Sequence, residues 1–285
     1  LVRVLRLGVL LPEFAREMME LLPRRLATGS LPTERLAKRP SKGKVGFIEG
    51  CAMRVMFGDT NESSAELLNR EGWDVLAPKG QGCCGALYAH SGQLAKARDC
   101  ARRNIAAFDK QPLDAIIINA AGCGSTLVEY GELLKNDPVW AKRAETFSSK
   151  VKDLVSWLEG AGCANSGTDT KVTYHDACHL AHAQGITAKP RALVKALAGD
   201  GFVELAESDL CCGSAGSYNL TEPEMANRLQ QRKVQNIIDS GAEVVVTTNP
   251  GCLLQIQSGL RKAGAHHIRV VHIADYLLEG GTGVG

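Results

Sequence analysis

Eight of the ten cysteines in this 285-residue chain fall into two sets with one spacing. The first set is Cys51, the adjacent pair Cys83 and Cys84 followed by Gly85, and then Cys123. The second is Cys178, the pair Cys211 and Cys212 followed by Gly213, and then Cys252. Subtracting the first set from the second gives offsets of 127, 128, 128 and 129. Four cysteines recurring in order, with drifts of a single residue, mark a duplicated unit of about 120 residues. Flanking text repeats as well: CCGALY matches CCGSAG, and Val151-Lys-Asp-Leu-Val-Ser-Trp-Leu resembles Val271-His-Ile-Ala-Asp-Tyr-Leu.

Four converging thiolates suit soft metals, so each set is a candidate for zinc or for an iron-sulfur cluster, with thiol redox chemistry or inert burial as the remaining readings. Structural zinc sites usually draw on C-x-x-C knuckles, and the chain contains none. Adjacent cysteines beside Gly85 and Gly213 fit a larger inorganic core, since a residue without Cβ lets the backbone approach bridging sulfides. An iron-sulfur cluster in at least one half is the leading expectation, with zinc as the alternative. Cys100, inside a predicted helix, and Cys163, in a linker, are read as non-ligands. His175, His179 and His182 surround Cys178, where they suit a mixed metal site or a proton relay as well as ordinary backbone hydrogen bonds. Asp176 suits tuning of a metal group or, more commonly, a turn at a strand end. Arg102-Arg103 and the stretch 228–233 read as solvated helix surface rather than docking faces. Gly80-Gln-Gly82 matches neither nucleotide-loop pattern.

Elements that would position these cysteines repeat too. Runs 44–49 and 171–176 read as strands ending just before Cys51 and Cys178. Helices over 63–70 and 191–198 follow, then strands 73–77 and 202–206 before the paired cysteines. Helices 93–108 and 224–240 and buried-type strands 114–119 and 243–248 lead to the last cysteine of each set. Strands alternating with helices imply parallel sheets whose sites gather at the carboxyl ends of the strands. The expected fold is α/β: two tandem Rossmann-like three-layer halves from an internal duplication. The expected boundaries are a helical lead-in over 1–40, repeat 1 over 41–160, a linker over 161–170 and repeat 2 over 171–285.

Composition narrows the partners. Apolar residues make up 45% and charged residues 22%, ordinary globular proportions. The 33 basic and 31 acidic side chains leave +2, so no global field favours nucleic acid or an anionic membrane. Apolar runs reach only about six residues, far below the ~20 of a membrane span. With no secretion-signal pattern, a cytoplasmic location is expected, leaving only peripheral attachment to the inner face of the cell membrane.

Tandem Cys…Cys-Cys-Gly…Cys units resemble the cysteine-rich domains of the heterodisulfide reductase B-subunit superfamily. More narrowly, the chain resembles the family of glycolate oxidase iron-sulfur subunits. The resemblance is carried by Gly50-Cys51, Gly82-Cys83-Cys84-Gly85-Ala86-Leu87, Asn104, Glu129-Tyr130-Gly131, Tyr174-His175-Asp176-Ala-Cys178-His179-Leu180 and Cys211-Cys212-Gly213-Ser214-Ala215-Gly216. It implies 4Fe-4S clusters in one or both halves, with zinc in one half as the variant. It also implies FAD on a partner flavin subunit, electrons passed to a quinone-type acceptor, and no catalytic residue in this chain. Complexes for lactate utilisation, glycerol-3-phosphate dehydrogenation or heterodisulfide reduction are alternatives inside the superfamily, and a zinc-stabilised interaction module is one outside it. Two departures stand out. Heterodisulfide reductase B subunits carry a fifth cysteine where this chain has Ala120 and Asn249, which points away from their non-cubane cluster. Glycolate oxidase iron-sulfur subunits also begin with a ferredoxin-like domain; no C-x-x-C run is present here, and the expectation is that this domain lies on a segment preceding Leu1.

Overall fold

A computed structural model describes residues 19, 21–23, 26–38, 40–159 and 169–280. Cys163 and nearly all of the expected linker lie outside the described residues. In the stretch expected to be a helical lead-in or the remnant of a preceding domain's linker, Met19 and Leu21 are helical, and β1 (Glu34–Arg35) joins the first sheet antiparallel to β3.

The first half alternates β2 (Gly43–Ile48), α1 (Cys51–Met56), α2 (Gly58–Arg70), β3 (Trp73–Leu76), α3 (Ala86–His90), α4 (Leu94–Phe108), β4 (Ala115–Ile118), α5 (Ala121–Val128), α6 (Tyr130–Leu133), α7 (Ala141–Lys150), β5 (Val151–Asp153) and α8 (Leu154–Trp157). Its sheet has the order β1-β3-β2-β4-β5, with β3, β2, β4 and β5 parallel. In the second half come β6 (Val172–Tyr174), a π-helical turn (His179–Ala183), α9 (Ala188–Ala198), α10 (Tyr218–Thr221), α11 (Pro223–Asp239), β7 (Val244–Thr247), α12 (Pro250–Lys262), β8 (Arg269–His272) and α13 (Ile273–Gly280). Here β6-β7-β8 are parallel, in the order that β2-β4-β5 take in the first half.

Expected strands and helices of the first half fall where the periodicity placed them, but the strand expected over 202–206 does not form. Only a bridge from Val172 to Phe202 marks its place, with Val203 N donating to Val172 O. The cause is local: Thr173 Oγ1 donates to Val203 O at 2.8 Å, capturing the carbonyl that a longer ladder would use. At the matching position of the first half stands Gly46, which has no hydroxyl.

The duplication extends into helix packing. In α4, Ala97, Ala101, Asn104, Ile105 and Phe108 are buried, and in α11 the buried set is Ala226, Gln230, Lys233, Val234 and Ile237. Every pair differs by 129, so both helices lay the same stripe against their sheets. Pro223 opens α11 where its missing N–H costs nothing.

The halves share one interior. A single apolar cluster contains Val45, Phe47 and Ile117 from the first sheet and Val172, Tyr174 and Val245 from the second, together with Leu197 and Leu277. Helix α13 packs on α2, where Thr60 Oγ1 donates to Asp275 Oδ2 at 2.7 Å. On the other side α8 packs on α9, and Lys189 Nζ donates to Ser156 O at 2.8 Å. The last helix of each half thus crosses to the other, and the carboxyl ends of β4 and β7 are brought face to face.

Candidate metal centres

In the first sheet the chain steps from β2 outward to β3 and then back to β4, and in the second only the Val172–Phe202 bridge marks the outward step before β7, so the crevice beyond the carboxyl ends of the strands is the natural site. Cys51 opens α1, directly after β2, and Cys123 lies in the first turn of α5, after β4. Cys178 precedes the π turn after β6, and Cys252 lies in the first turn of α12, after β7. Helix N-termini favour the thiolate form. The pairs Cys83-Cys84 and Cys211-Cys212 arrive on loops from the next strand position.

All eight repeated cysteines line one cavity of about 190 Å³, together with Leu87, His90, His179, Ser214 and Asn249. This is smaller than the ~300–1,000 Å³ of ordinary organic-cofactor pockets. A larger cavity of about 510 Å³, between the start of α2 and β8, holds no cysteine. Three bonds lock the facing ends: Ala121 N to Thr248 O at 3.3 Å, Gly122 N to Asn249 Oδ1 at 3.0 Å, and His272 Nε2 to Asn119 O at 2.7 Å.

Within each set neighbouring thiols shift one another's protonation, in the order Cys51–Cys83–Cys84–Cys123 and Cys178–Cys211–Cys212–Cys252. The hydrogen bond to Cys83, followed by burial, pushes the Cys51 thiol up. The Cys178 thiol rises in the same way through Cys211. Hydrogen bonds from their neighbours hold Cys83 and Cys211 far below the usual thiol range. Cys252 is likewise held low, first by its hydrogen bond with Cys212. Each set therefore already carries thiolate character and shares its remaining protons. A cation entering either set displaces those protons, so binding is favoured by rising pH.

Gly85 and Gly213 are required for another reason than the one their type suggested. Both have positive φ, at 86° and 90°. A Cβ on Gly213 would stand 2.4 Å from Ala226 O, and one on Gly85 would stand 3.1 Å from Cys100 Cβ and 3.2 Å from Ala97 O. The glycines let the cysteine loops press against the following helices, α11 and α4, rather than against the metal side. Their N–H groups donate back to Cys83 Sγ at 3.4 Å and Cys211 Sγ at 3.3 Å.

Behind each loop a side chain of the helix holds the backbone. Asn104 donates to Cys83 O at 3.0 Å and accepts from Gly82 N at 2.8 Å, while Tyr130 donates to Cys84 O at 2.7 Å. Lys233 takes the place of Asn104 in the second half. It was expected on solvated helix surface, but it is 0% exposed, and its ammonium donates to the carbonyls of Glu207 and Ser208. The 129-residue offset from Asn104 was the signal that could have found it.

His175 is 1% exposed, with Nδ1 3.0 Å from Ser208 O, Nε2 buried without a hydrogen-bond partner, and the ring beside Cys212 Sγ and Cys252 Sγ. His179 Nδ1 lies 3.6 Å from Cys178 Sγ, and its ring is 5.9 Å from that of His90. His182 is exposed and remote from the cavity lining. Asp176 touches neither histidine nor cysteine: its Oδ2 accepts from Arg191 at 2.5 Å, which makes it a strand-end anchor. Cys100, expected to be a bystander, hydrogen-bonds with Cys83 at the edge of the first set.

A fold of two matched α/β halves with one Cys…Cys-Cys-Gly…Cys set each defines a class, and a family model described as "Cysteine-rich domain" (CCG) matches residues 45–128 and 172–257. The chain belongs to the cysteine-rich CCG domain family. It is 40% identical over 283 residues to the probable glycolate oxidase iron-sulfur subunit of Bacillus subtilis, covering 94% of this chain and 62% of that protein. Similarity to the glycolate oxidase iron-sulfur subunit of Escherichia coli is 35% over 255 residues, covering 86% of this chain and 62% of that protein. Lactate utilization protein A of Oceanobacillus iheyensis is 31% identical over 237 residues, covering 82% of this chain and 96% of that protein. The chain thus spans less than two thirds of the two glycolate oxidase relatives. In fold alone, it resembles a hypothetical protein from Helicobacter pylori, with a TM-score of 0.62 and 13% identity over 94% of this chain and 53% of that one.

Proposed function

We propose that this chain is the iron-sulfur, electron-transferring part of a 2-hydroxy-acid-oxidising complex of the glycolate oxidase type. The single observation that carries the reading is the convergence of all eight repeated cysteines on one cavity. That donor set fits the group: four thiols per half, with Cys83 and Cys211 drawn toward ionisation by the neighbouring thiols. Cys51, Cys83, Cys84 and Cys123 would hold one cluster, and Cys178, Cys211, Cys212 and Cys252 the other, each of the 4Fe-4S type. An iron-sulfur cluster takes up and gives up one electron at a time.

The protein's own part is positional. Asn104, Tyr130 and Lys233 fix the backbone of the cysteine loops, Gly85 and Gly213 seat those loops on their helices, and Asn119, His272 and Asn249 lock the two halves so that both sets face one space. The cavity that the cysteines line is smaller than an organic-cofactor pocket, and in this reading oxidation of the hydroxy acid belongs to an FAD-bearing partner, with a quinone-type acceptor downstream. Among the described residues no helix is long and apolar enough to cross a membrane, so the acceptor is met at a surface, with the chain cytoplasmic or peripheral on the inner membrane face. A second reading, electron transfer for lactate oxidation, is favoured by the near full-length match to lactate utilization protein A.

Reconstitution with the flavin subunits tests the reading. Stopped-flow reoxidation of the reduced flavin by a quinone acceptor should be fast with the wild-type chain and slow with Cys252→Ser. Equal rates would make the cysteines structural and favour the zinc-type interaction module. Glycolate and lactate supplied to the same complex separate the two substrate readings.

A further inference from the structure

The duplication is faithful at all eight cysteines but breaks at residues beside them, and one of these breaks changes the donors that the second set has within reach. At the offset of 127 that relates Cys51 to Cys178, the buried Ile48 of the first half is replaced by His175 in the second. Both side chains are sealed, Ile48 at 0% and His175 at 1% exposure. Isoleucine offers its cysteines nothing, whereas the imidazole offers them a lone pair.

The ring is held in one tautomer. Nδ1 lies 3.0 Å from Ser208 O, and a carbonyl can only accept, so Nδ1 carries the hydrogen and Nε2 carries the lone pair. Ser208 O also receives the Lys233 ammonium at 3.3 Å, which pins the carbonyl that orients the ring. Nε2 itself is buried and has no hydrogen-bond partner. A ring nitrogen of His175, Cys212 Sγ and Cys252 Sγ all lie within 4.8 Å of one another. Asn249 cannot fill that role: its Nδ2 donates to Cys252 Sγ at 3.6 Å, and its Oδ1 is bound by Gly122 N. An imidazole that donates one nitrogen to a backbone carbonyl and keeps the other bare, with two thiols beside the ring, has the outer-shell arrangement of a metal ligand.

We propose that His175 Nε2 is a donor to the metal group of the second half, so that the two centres are chemically unlike: thiolate-only at Cys51, Cys83, Cys84 and Cys123, imidazole and thiolate at the other. The proposal deepens the iron-sulfur reading and rests on it. Its consequence is directional. Replacing an anionic thiolate with a neutral nitrogen donor raises a centre's potential, so with His175 in place of one of the four thiolates the second centre is the more oxidising of the two and the natural receiving end of transfer across the cavity.

The test uses the full chain carrying Cys83→Ser and Cys84→Ser, so that the second centre is read alone, grown with 15N-histidine and loaded anaerobically with ferrous iron and sulfide. Pulsed EPR of the reduced protein should show a directly coordinated 15N in this parent. The signal should vanish in His175→Ile, and in His175→Cys iron should be retained with sulfur donors only and a lower midpoint potential. A parent that binds iron and sulfide with no directly bound nitrogen would overturn the proposal while leaving the iron-sulfur reading standing. A parent that takes up no iron and sulfide would overturn both. The parent's own spectrum decides, so a poorly folding His175→Ile does not blunt the test.

Discussion

Asp153 shows how a single buried group sets a pH dependence. Its Oδ1 caps α8 by accepting from Val155 N at 3.0 Å, while its Oδ2 is buried without a partner. Burial pushes the carboxyl up to about 7, well above the usual range of an aspartate. The folded protein therefore holds this proton more tightly than the unfolded chain does. The stability it contributes is complete below about pH 4 and is lost as pH rises through about 7, amounting to up to about 4 kcal/mol. Asp153→Asn keeps the cap and cannot ionise, so its advantage over wild type should grow between pH 5 and pH 8 in urea titrations. A constant difference across that window would show that Asp153 is not the group that titrates. Lys233 makes a second case. Lys233→Met strips a charged donor from two buried carbonyls and should cost about 1.5–3 kcal/mol, measurable by the same titrations; a neutral variant would mean those carbonyls find other donors. Reading types along the chain found every cysteine but missed this lysine, because a lone Lys among Arg, Gln and Asn in a helix looks solvated until its position is matched to the buried Asn104.

At the level of elements, the adjacent cysteines depend on how closely their loops sit on the next helix. The approach is tighter in the second half, where a Cβ on Gly213 would be 2.4 Å from Ala226 O against 3.2 Å from Ala97 O for Gly85. Gly213→Ala should therefore cost more than Gly85→Ala: about 3 kcal/mol or more against about 1–2 kcal/mol, both including the penalty of a positive φ. Metal content should fall chiefly in the half that carries the substitution. The reverse order of stabilities would show that the loops relax freely. Most helices and strands were legible because buried residues recur at helical or strand spacing. The strand over 202–206 was not, since its apolar pattern was sound and what stops it is a hydroxyl on its neighbour, Thr173. The purpose of the two glycines was also hidden: their type reveals a need for close approach, but not which surface is approached.

For the whole molecule, the repeat suggests two halves that stand apart, yet the interior runs through both. Helix α13 packs on the first half and α8 on the second, so one apolar cluster spans both, while another, with Ile48, Ile105, Ile118 and Phe147, lies within the first half. All three tryptophans, Trp73, Trp140 and Trp157, belong to the first half. Leu277, in α13, is 0% exposed, and truncation to Ala should cost about 2–5 kcal/mol. Tryptophan fluorescence should register that loss in full, with the same midpoint as circular dichroism. A fluorescence transition unmoved by Leu277→Ala would show that the halves unfold independently. The duplication was plain from cysteine spacing alone. The crossing of the end helices was not, because it depends on which neighbour offers an apolar face, and periodicity does not say.

The central claim is that two matched sets of cysteines hold iron-sulfur centres at one shared cavity. Iron, acid-labile sulfide and zinc per chain, measured after anaerobic purification of wild type, Cys83→Ser, Cys212→Ser and the double variant, test it most directly. The expected result is a brown protein that loses about half of its iron and sulfide in either single variant and all of it in the double, while Cys163→Ser loses none. A colourless protein with zinc and no sulfide, or equal iron in all four chains, would contradict the account.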